Sequence, residues 1–331
     1  MNDNRSAVGL LSGTLVLTSD GYREIENIKT GDLMLTHKCR WRKVIGVITG
    51  QDKVGTFQGN VKISMTSDVN IYSAIEVTHY PADEDGKRKA TRNAVNAGAM
   101  QLAAYMKDLL SATPRVIEDQ IPGLMNIKLP RNPWSLLCAD FWYITGKYLL
   151  NRLRPDEVSQ RTDIIPDAQN FTWWMHGTFG TFGTGVRSRQ IPPFIFTLPI
   201  EYRKAFLSGV MDSSGSISDV AYRLNSSNKK MIYALRFLAE SVDYYTNVAF
   251  TELEKQSLIS GRTVNQSSRY TLAIFDGSCR PRGIRSDDGK FTWYHCSGFT
   301  MADEIKTVYN LAVGEDNTFF ADSICVSTNI F

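Results

Sequence analysis

The sequence predicts a multidomain chain in which an all-β domain is assembled from both chain ends and an α/β domain is inserted between them. Three observations carry this. At 331 residues the chain exceeds one typical domain. Residues 12–72 and 306–329 both read as short strands separated by turns, whereas the middle carries apolar runs at helical spacing. Chain ends commonly lie close together in a domain that accepts an insertion, so β ends around an α/β middle fit one domain placed inside another.

The elements follow in order. "GTLVLTSDGYREIENI" holds an apolar strand, an Asp20-Gly21 turn and a second amphipathic segment, and "KTGDLML" repeats the strand-entry pattern. "KVIGVIT" and the alternating "NVKISM" extend the β character. After Pro81 a charged stretch leads into "AVNAGAMQLAAYMKDLL", where Val95, Met100, Leu102, Met106 and Leu109 predict a helix. "SLLCADFWYITGKYLLNRL" and "PIEYRKAFLSGVMDS" predict two buried helices. "SNKKMIYALRFLAESV" predicts another, opened by a Ser-rich cap, with Met231, Leu235 and Leu238 on one face. "YTLAIF" is a strand between helices, and "KTVYNLAVGEDNTFFADSICVSTN" gives two or three strands around a turn at Gly314 to Asn317.

Composition narrows the function classes. Hydrophobic content of 43% with 21% charged residues is that of a folded globular protein rather than a disordered one. A net charge of +3 means that any nucleic-acid surface must arise from local clusters of Arg and Lys. Cys39, Cys138, Cys279, Cys296 and Cys325 are odd in number and form no C-x-x-C pair, which argues against a zinc site or a disulfide framework. There is no bilayer-length apolar run and no apolar core behind a basic start. The expected setting is cytoplasmic, with no membrane partner.

The opening "SGTLVLTSDGYREIENIKTGDLMLTHKCRWRKV" resembles the amino-terminal splicing motif of inteins, the self-splicing family with the Hint fold. The closing "VYNLAVGEDNTFFADSICVSTN" resembles the family's carboxy-terminal motifs. The middle, most clearly "IPPFIFTLPIEYRKAFLSGVMDSSGSI", resembles the LAGLIDADG homing endonuclease that many inteins carry. The resemblance implies a flank over 1–11, Hint segments over 12–115 and 291–329, an endonuclease-like domain over 116–290 and a flank at 330–331. It also implies a monomer that acts on its flanking extein segments in cis and needs no cofactor for splicing.

The family's chemistry begins with a hydroxyl or thiol that attacks the preceding carbonyl, and Ser12 is placed to do so, with Leu11 as the last flanking residue. A Thr-x-x-His motif then polarises the scissile amide. Here Thr66 is present but Val69 replaces the histidine, and the plainer role for Thr66 is to satisfy a neighbouring backbone group. Release at the other end needs an Asn that cyclises. Asn329 is the candidate, with Thr328 before it and Asn317 upstream where the family commonly has histidines, so cyclisation is expected to be slow. Ile330 then stands where a nucleophile must receive the upstream segment, so joining of the flanks is not expected and hydrolytic cleavage at either end remains.

In the endonuclease family, two motif copies form paired helices, each ending in an acid that binds a divalent metal, with Mg2+ expected. "LSGVMDSSG" fits the second copy, with Gly209 at the close-packing position and Ser214 where the acid belongs. "YITGKYLLNR" fits the first, with Gly146 and Asn151 in those places. Neither replacement carries the charge a hard cation prefers, so no productive metal site is expected. Asp212 lies on the helix, where a lone acid is more often solvated. DNA binding could outlive cleavage through Arg187, Arg189, Arg223, Lys229 and Lys230, each of which is otherwise a solvated charge. His176 has no partner at ligand spacing and reads as structural. Two other readings stand beside the impaired intein: a DNA-binding module with the Hint part as scaffold, and an active endonuclease using other acids.

Overall fold

The computed structural model describes residues 8–58, 61–78, 90–98, 109–114, 138–150, 164–165, 168–181, 189–218, 220–253, 256–259, 262–265, 267–275, 283–285, 291–295 and 298–327. The chain divides into two compact units, Met1–Gln120 with Arg282–Phe331, and Ile121–Pro281. Among the described residues strand is the prevailing secondary structure, and the α-helices fall between Ala139 and Ser241.

The first unit is one large, mainly antiparallel sheet. Its strands are β1 (Leu10–Leu11), β2 (Leu15–Thr18), β3 (Gly21–Glu24), β4 (Leu33–Leu35), β5 (Trp41–Gln58), β6 (Lys62–Met65), β7 (Asn70–Thr78), β8 (Ala90–Gly98) and β9 (Leu109–Pro114). After the second unit come β16 (Gly283–Arg285), β17 (Phe291–His295), β18 (Gly298–Val313), β19 (Thr318–Ala321) and β20 (Ile324–Ser327). The Asp20-Gly21 turn joins β2 to β3 as the sequence predicts, with Gly21 at φ 98°. "KVIGVIT" proves to be part of β5, an 18-residue strand that runs antiparallel to β18 from Val44↔Val313 to Gln58↔Gly298. Because β1 pairs both β18 and β6, and β5 pairs both β18 and β6, these four strands close on themselves. Closure leaves β1 no free edge. All four residues of β2, of β19 and of β20 are buried, which explains their unbroken apolar runs.

Where it is described, the segment expected to be a helix over residues 94–110 is strand. Residues Ala90–Gly98 are a strand paired with β7 from Thr78↔Ala90 to Asn70↔Gly98, and Leu109–Pro114 is a strand paired with β7 and β17. Residues 99–108, with Met100, Leu102 and Met106, lie outside the described residues. Partner strands satisfy the backbone of residues 94–98 and 109–110, and there tertiary pairing overrides a helical spacing that Gly98 already weakens.

The second unit holds α1 (Ala139–Leu150), α2 (Ala168–Phe179), α3 (Ile200–Ser214) and α4 (Lys229–Ser241), with β10 (Ser216–Ser218), β11 (Ala221–Ser226), β12 (Tyr245–Thr251), β13 (Gln256–Ile259), β14 (Arg262–Asn265) and β15 (Arg269–Phe275). The helices predicted at 135–153, 199–213 and 227–242 are found at Ala139–Leu150, with 135–137 and 151–153 outside the described residues, at Ile200–Ser214 and at Lys229–Ser241. Asn228 rather than a serine caps α4, its side chain accepting from the Met231 N–H at 3.1 Å. Strands β10-β11-β15-β12 make an antiparallel sheet that packs one face on α4, and β13 pairs β14. Every residue from Met231 to Val242 is buried. Within α4, Arg236 donates to Thr246 Oγ1 at 3.1 Å and Thr246 donates to Glu240 at 2.8 Å, so two buried charges share one hydroxyl. An aromatic cluster of Phe141, Trp142, Phe171, Trp174, Phe179 and Phe206 fills the space between α1, α2 and α3.

Helices α1 and α3 meet through glycine. A Cβ on Gly146 would lie 1.9 Å from the Phe206 carbonyl oxygen, and one on Gly209 would lie 1.9 Å from that of Tyr143. The contact is reciprocal, because each glycine faces the residue three before the other. Overpacking typically costs about 1–3 kcal/mol, and here the obstacle is rigid backbone, so Gly146→Ala and Gly209→Ala are each expected to destabilise by ~3 kcal/mol or more. Urea denaturation of the two variants beside the parent checks this; a loss below 1 kcal/mol would contradict the packing.

Candidate functional site

The turn that holds Ser12 lies between β1 and β2. The Leu11 carbonyl accepts the Thr14 N–H at 3.1 Å and the Thr14 hydroxyl at 2.6 Å, and Gly13 at φ 80° supplies the conformation that closes the turn. Ser12 is exposed and donates its hydroxyl to Glu26 Oε1 at 2.8 Å. The same carboxylate accepts the Gly13 N–H at 3.1 and 2.9 Å. Glu26 sits on the 3-10 turn Ile25–Asn27, which the Ile25 N–H to Thr14 carbonyl bond of 2.8 Å fixes against this loop.

Thr66 is bonded to Gly9, two residues before Leu11. It is buried and pairs with Gly9, accepting the Gly9 N–H at 3.0 Å on its hydroxyl and donating its own N–H to the Gly9 carbonyl at 2.9 Å. These two bonds satisfy the backbone of Gly9. Gly9 is fixed in turn, since a Cβ there would lie 2.7 Å from the Tyr309 carbonyl oxygen. Val69 is buried, three residues beyond Thr66.

The closing segment lies beside this turn. Asp322 accepts the Leu15 N–H at 3.0 Å and donates its N–H to the Leu15 carbonyl at 2.6 Å, while Ala321 pairs with Val16. Asn317, at φ 52°, accepts the Ser327 hydroxyl at 3.3 Å on its carbonyl, and Thr318 faces His37, with the ring Nδ1 at 2.8 Å. Burial lowers the His37 pKa against the pull of Asp316. Burial also raises the Cys325 thiol well above its ordinary value, which keeps it protonated. Thr328, Asn329 and Ile330 lie outside the described residues.

Asp316 anchors the turn before β19. Its buried carboxylate accepts Arg40 Nε at 2.8 Å and Nη2 at 2.5 Å and the Thr36 hydroxyl at 2.8 Å, with Lys38 Nζ at 3.1 Å. Hydrogen bonding to Arg40 first, then to Thr36 and Lys38, holds its pKa far below the usual carboxylate range despite burial.

In the second unit, Ser214 ends α3 and is exposed, its hydroxyl 3.1 Å from that of Ser213. The Tyr222 ring lies over the foot of this helix, where a Cβ on Gly215 would meet it. Asp212 accepts the Tyr143 hydroxyl at 3.0 Å. Burial and then this hydrogen bond raise the Tyr143 pKa, and burial and the Asp212 charge raise that of Tyr222. The reciprocal glycine contact equates Gly146 with Gly209, and therefore Asn151 with Ser214, five residues after each. Asn151 lies outside the described residues. These residues do not fit Mg2+: Ser214 offers a neutral hydroxyl, Asp212 is turned to Tyr143, and no cluster of three or more His, Cys, Asp or Glu side chains among the described residues could hold a metal ion.

The five proposed DNA contacts separate. Arg187 lies outside the described residues. Arg189 donates to the Leu150 carbonyl at the end of α1, so its charge serves the helix terminus. Lys229 stands over the Tyr233 ring at 5.5 Å, and Lys230 is exposed on the first turn of α4. Arg223 is exposed on β11, paired with Ser216 and Ala273, and shares the sheet face away from α4 with Asn225 and Asn247. His176 is structural as expected, its Nδ1 2.7 Å from the Thr181 hydroxyl.

Sequence reading missed Thr14, Glu26 and Asp316. No motif flags them; Glu26 is fourteen residues from Ser12, and Asp316 is 276 from Arg40. Because the folded-state pKa of Asp316 lies below that of the unfolded chain, its stabilisation is complete above about pH 5, begins to decline as pH falls through the unfolded value of ~3.9, and is lost only as pH falls through the lower folded value. Replacing Asp316 with Asn is expected to cost ~2–3 kcal/mol at pH 7, the worth of charge-assisted hydrogen bonds. The deficit should shrink toward pH 3, which denaturation of both proteins at the two pH values measures.

No family model and no curated protein matches the chain. Among solved structures it is similar to a mutant of the Ssp DnaB mini-intein variant M86, at 10% identity and a TM-score of 0.37 over 98% of this chain and 100% of that one. It is also similar to that variant itself, at 9% identity and 0.35 over 98% and 94%, and to the gp41-1 intein, at 18% identity and 0.20 over 28% and 81%. At TM-scores below 0.5 these likenesses carry no weight for the reading of the site.

Proposed function

We propose that the chain is an intein-like self-processing element of the Hint type, confined to cleavage, with a LAGLIDADG-like unit that binds duplex DNA without cutting it. The observation that carries the first part is the joining of the two ends in one sheet. Leu15, three residues after Ser12, exchanges hydrogen bonds with Asp322, six residues before Thr328. An element that acts at both of its boundaries needs this adjacency. Ser12 is the nucleophile at the amino boundary, and Asn329 is the residue that cyclises at the other, with Thr328 beside it. Ile330 offers no acceptor, so the flanks are released rather than joined. Intact mass of the purified chain after prolonged incubation tests this. Loss of residues 1–11, or of 330–331, is the expected result, without a joined peptide of the two. A full-length mass at all times, also after added nucleophile, would refute self-processing.

The second part is supported by the reciprocal Gly146 and Gly209 contact, with neutral Ser214 at the helix foot, and by the exposed polar face around Arg223. Retention of duplex DNA should fall steeply with salt. Arg223→Ala should reduce the slope of log affinity against log salt by about 1, the loss of one phosphate contact. Mg2+-dependent plasmid cleavage would overturn this part in favour of an active nuclease.

A further inference from the structure

From the Ser12 turn we infer that Glu26 and Thr14 are the catalytic residues of an acyl shift at the Leu11–Ser12 bond, Glu26 as the base for Ser12 and Thr14 as the donor to the developing oxyanion. The inference rests on the reading of Ser12 as nucleophile and goes beyond it by naming the groups that activate it. It fills the place left by Val69 and by Thr66, which is held on Gly9. Three features of the turn converge. The hydroxyl of Ser12 already donates to Glu26 Oε1 at 2.8 Å, within range for proton transfer. The Gly13 N–H, bonded to both carboxylate oxygens, orients that base. The carbonyl under attack is the one that accepts both the N–H and the hydroxyl of Thr14, a pair of donors preorganised where negative charge develops.

The step balances without a co-reactant. Ser12 Oγ gives its proton to Glu26 and bonds to the Leu11 carbonyl carbon, and the oxygen, now negative, is held by Thr14. The Leu11 carbon to Ser12 nitrogen bond then breaks as that nitrogen takes the proton back from Glu26. The product is an ester between Leu11 and the Ser12 hydroxyl with a free Ser12 amine, an isomer of the starting chain. Hydroxylamine intercepts it by displacing the Ser12 oxygen, releasing residues 1–11 as the hydroxamate and leaving a chain that begins at Ser12. The sequence holds no Asn-Gly pair for hydroxylamine to cut instead.

The experiment is a time course of intact mass for the full chain in hydroxylamine, run in parallel on Ser12→Ala, Glu26→Gln, Thr14→Val and Thr14→Ser, with thermal midpoints to confirm that each folds. The parent should lose residues 1–11, and Ser12→Ala should not. Glu26→Gln keeps a hydrogen-bonding side chain but no base and should cleave about a hundredfold more slowly, the low end of the range typical of general base catalysis. Thr14→Val should slow similarly, and Thr14→Ser should retain the parent rate, a rescue that a purely structural role for the buried methyl group would not give. Where the parent is too slow to follow, Ser12→Cys replaces it as the reference, and an inert Ser12→Cys overturns the Ser12 reading and this inference together. Cleavage of a folded Glu26→Gln chain at the parent rate overturns the inference while leaving Ser12 as the nucleophile.

Discussion

The pairing of β5 with β18 is the constraint on which the first unit depends. It binds Val44–Gln58 to Gly298–Val313 along almost the whole of both strands, across a chain separation that takes in the entire second unit. Closing so long a loop carries an entropic cost that grows only slowly with length, so a ladder of this extent holds the ends together whatever lies between them. Everything at the candidate site follows from that ladder. β1 finds its place between β18 and β6, and the turn before β19 is brought to Thr36 and Arg40.

The second unit depends on an equally specific constraint at shorter range. Two glycines let helix backbones approach until no Cβ fits, and the contact is symmetric in position but not in chemistry. Tyr143 of α1 bonds Asp212 of α3, whereas the equivalent pair by the same offsets is Phe206 and Leu149, both fully buried and apolar. This one hydrogen bond ties the two helices together on the exposed side of the contact. It also accounts for Asp212, whose carboxylate is engaged with Tyr143.

Around Ser12 the contacts come from nearby turns. Thr66 holds Gly9, while Glu26 and Thr14, which no motif marks, surround Ser12 and the Leu11 carbonyl. Both arrangements arise from turns. A residue three places along a β-turn returns to the carbonyl it left, and a 3-10 turn presents one side chain to the loop it packs against.

The sequence by itself determined the β character of both ends, the Asp20-Gly21 hairpin and three helices of the middle. Each is written in local chemistry: alternation, turn residues and apolar spacing. Gly146 and Gly209 were marked as close-packing positions by the family resemblance, and the structure puts both at the helix contact. Only the tertiary structure decided that Ala90–Gly98 is a strand, because the choice lay with β7 as a partner rather than with the segment's own spacing. Likewise it decided that Arg189 donates to the Leu150 carbonyl at the end of α1, and that Asp316 is a buried hub for Arg40, Thr36 and Lys38. In each case the deciding neighbour lies tens to hundreds of residues away in the chain, beyond the reach of any local pattern. Hydrogen bonds and desolvation act only once folding has brought such groups within about 3 Å of one another.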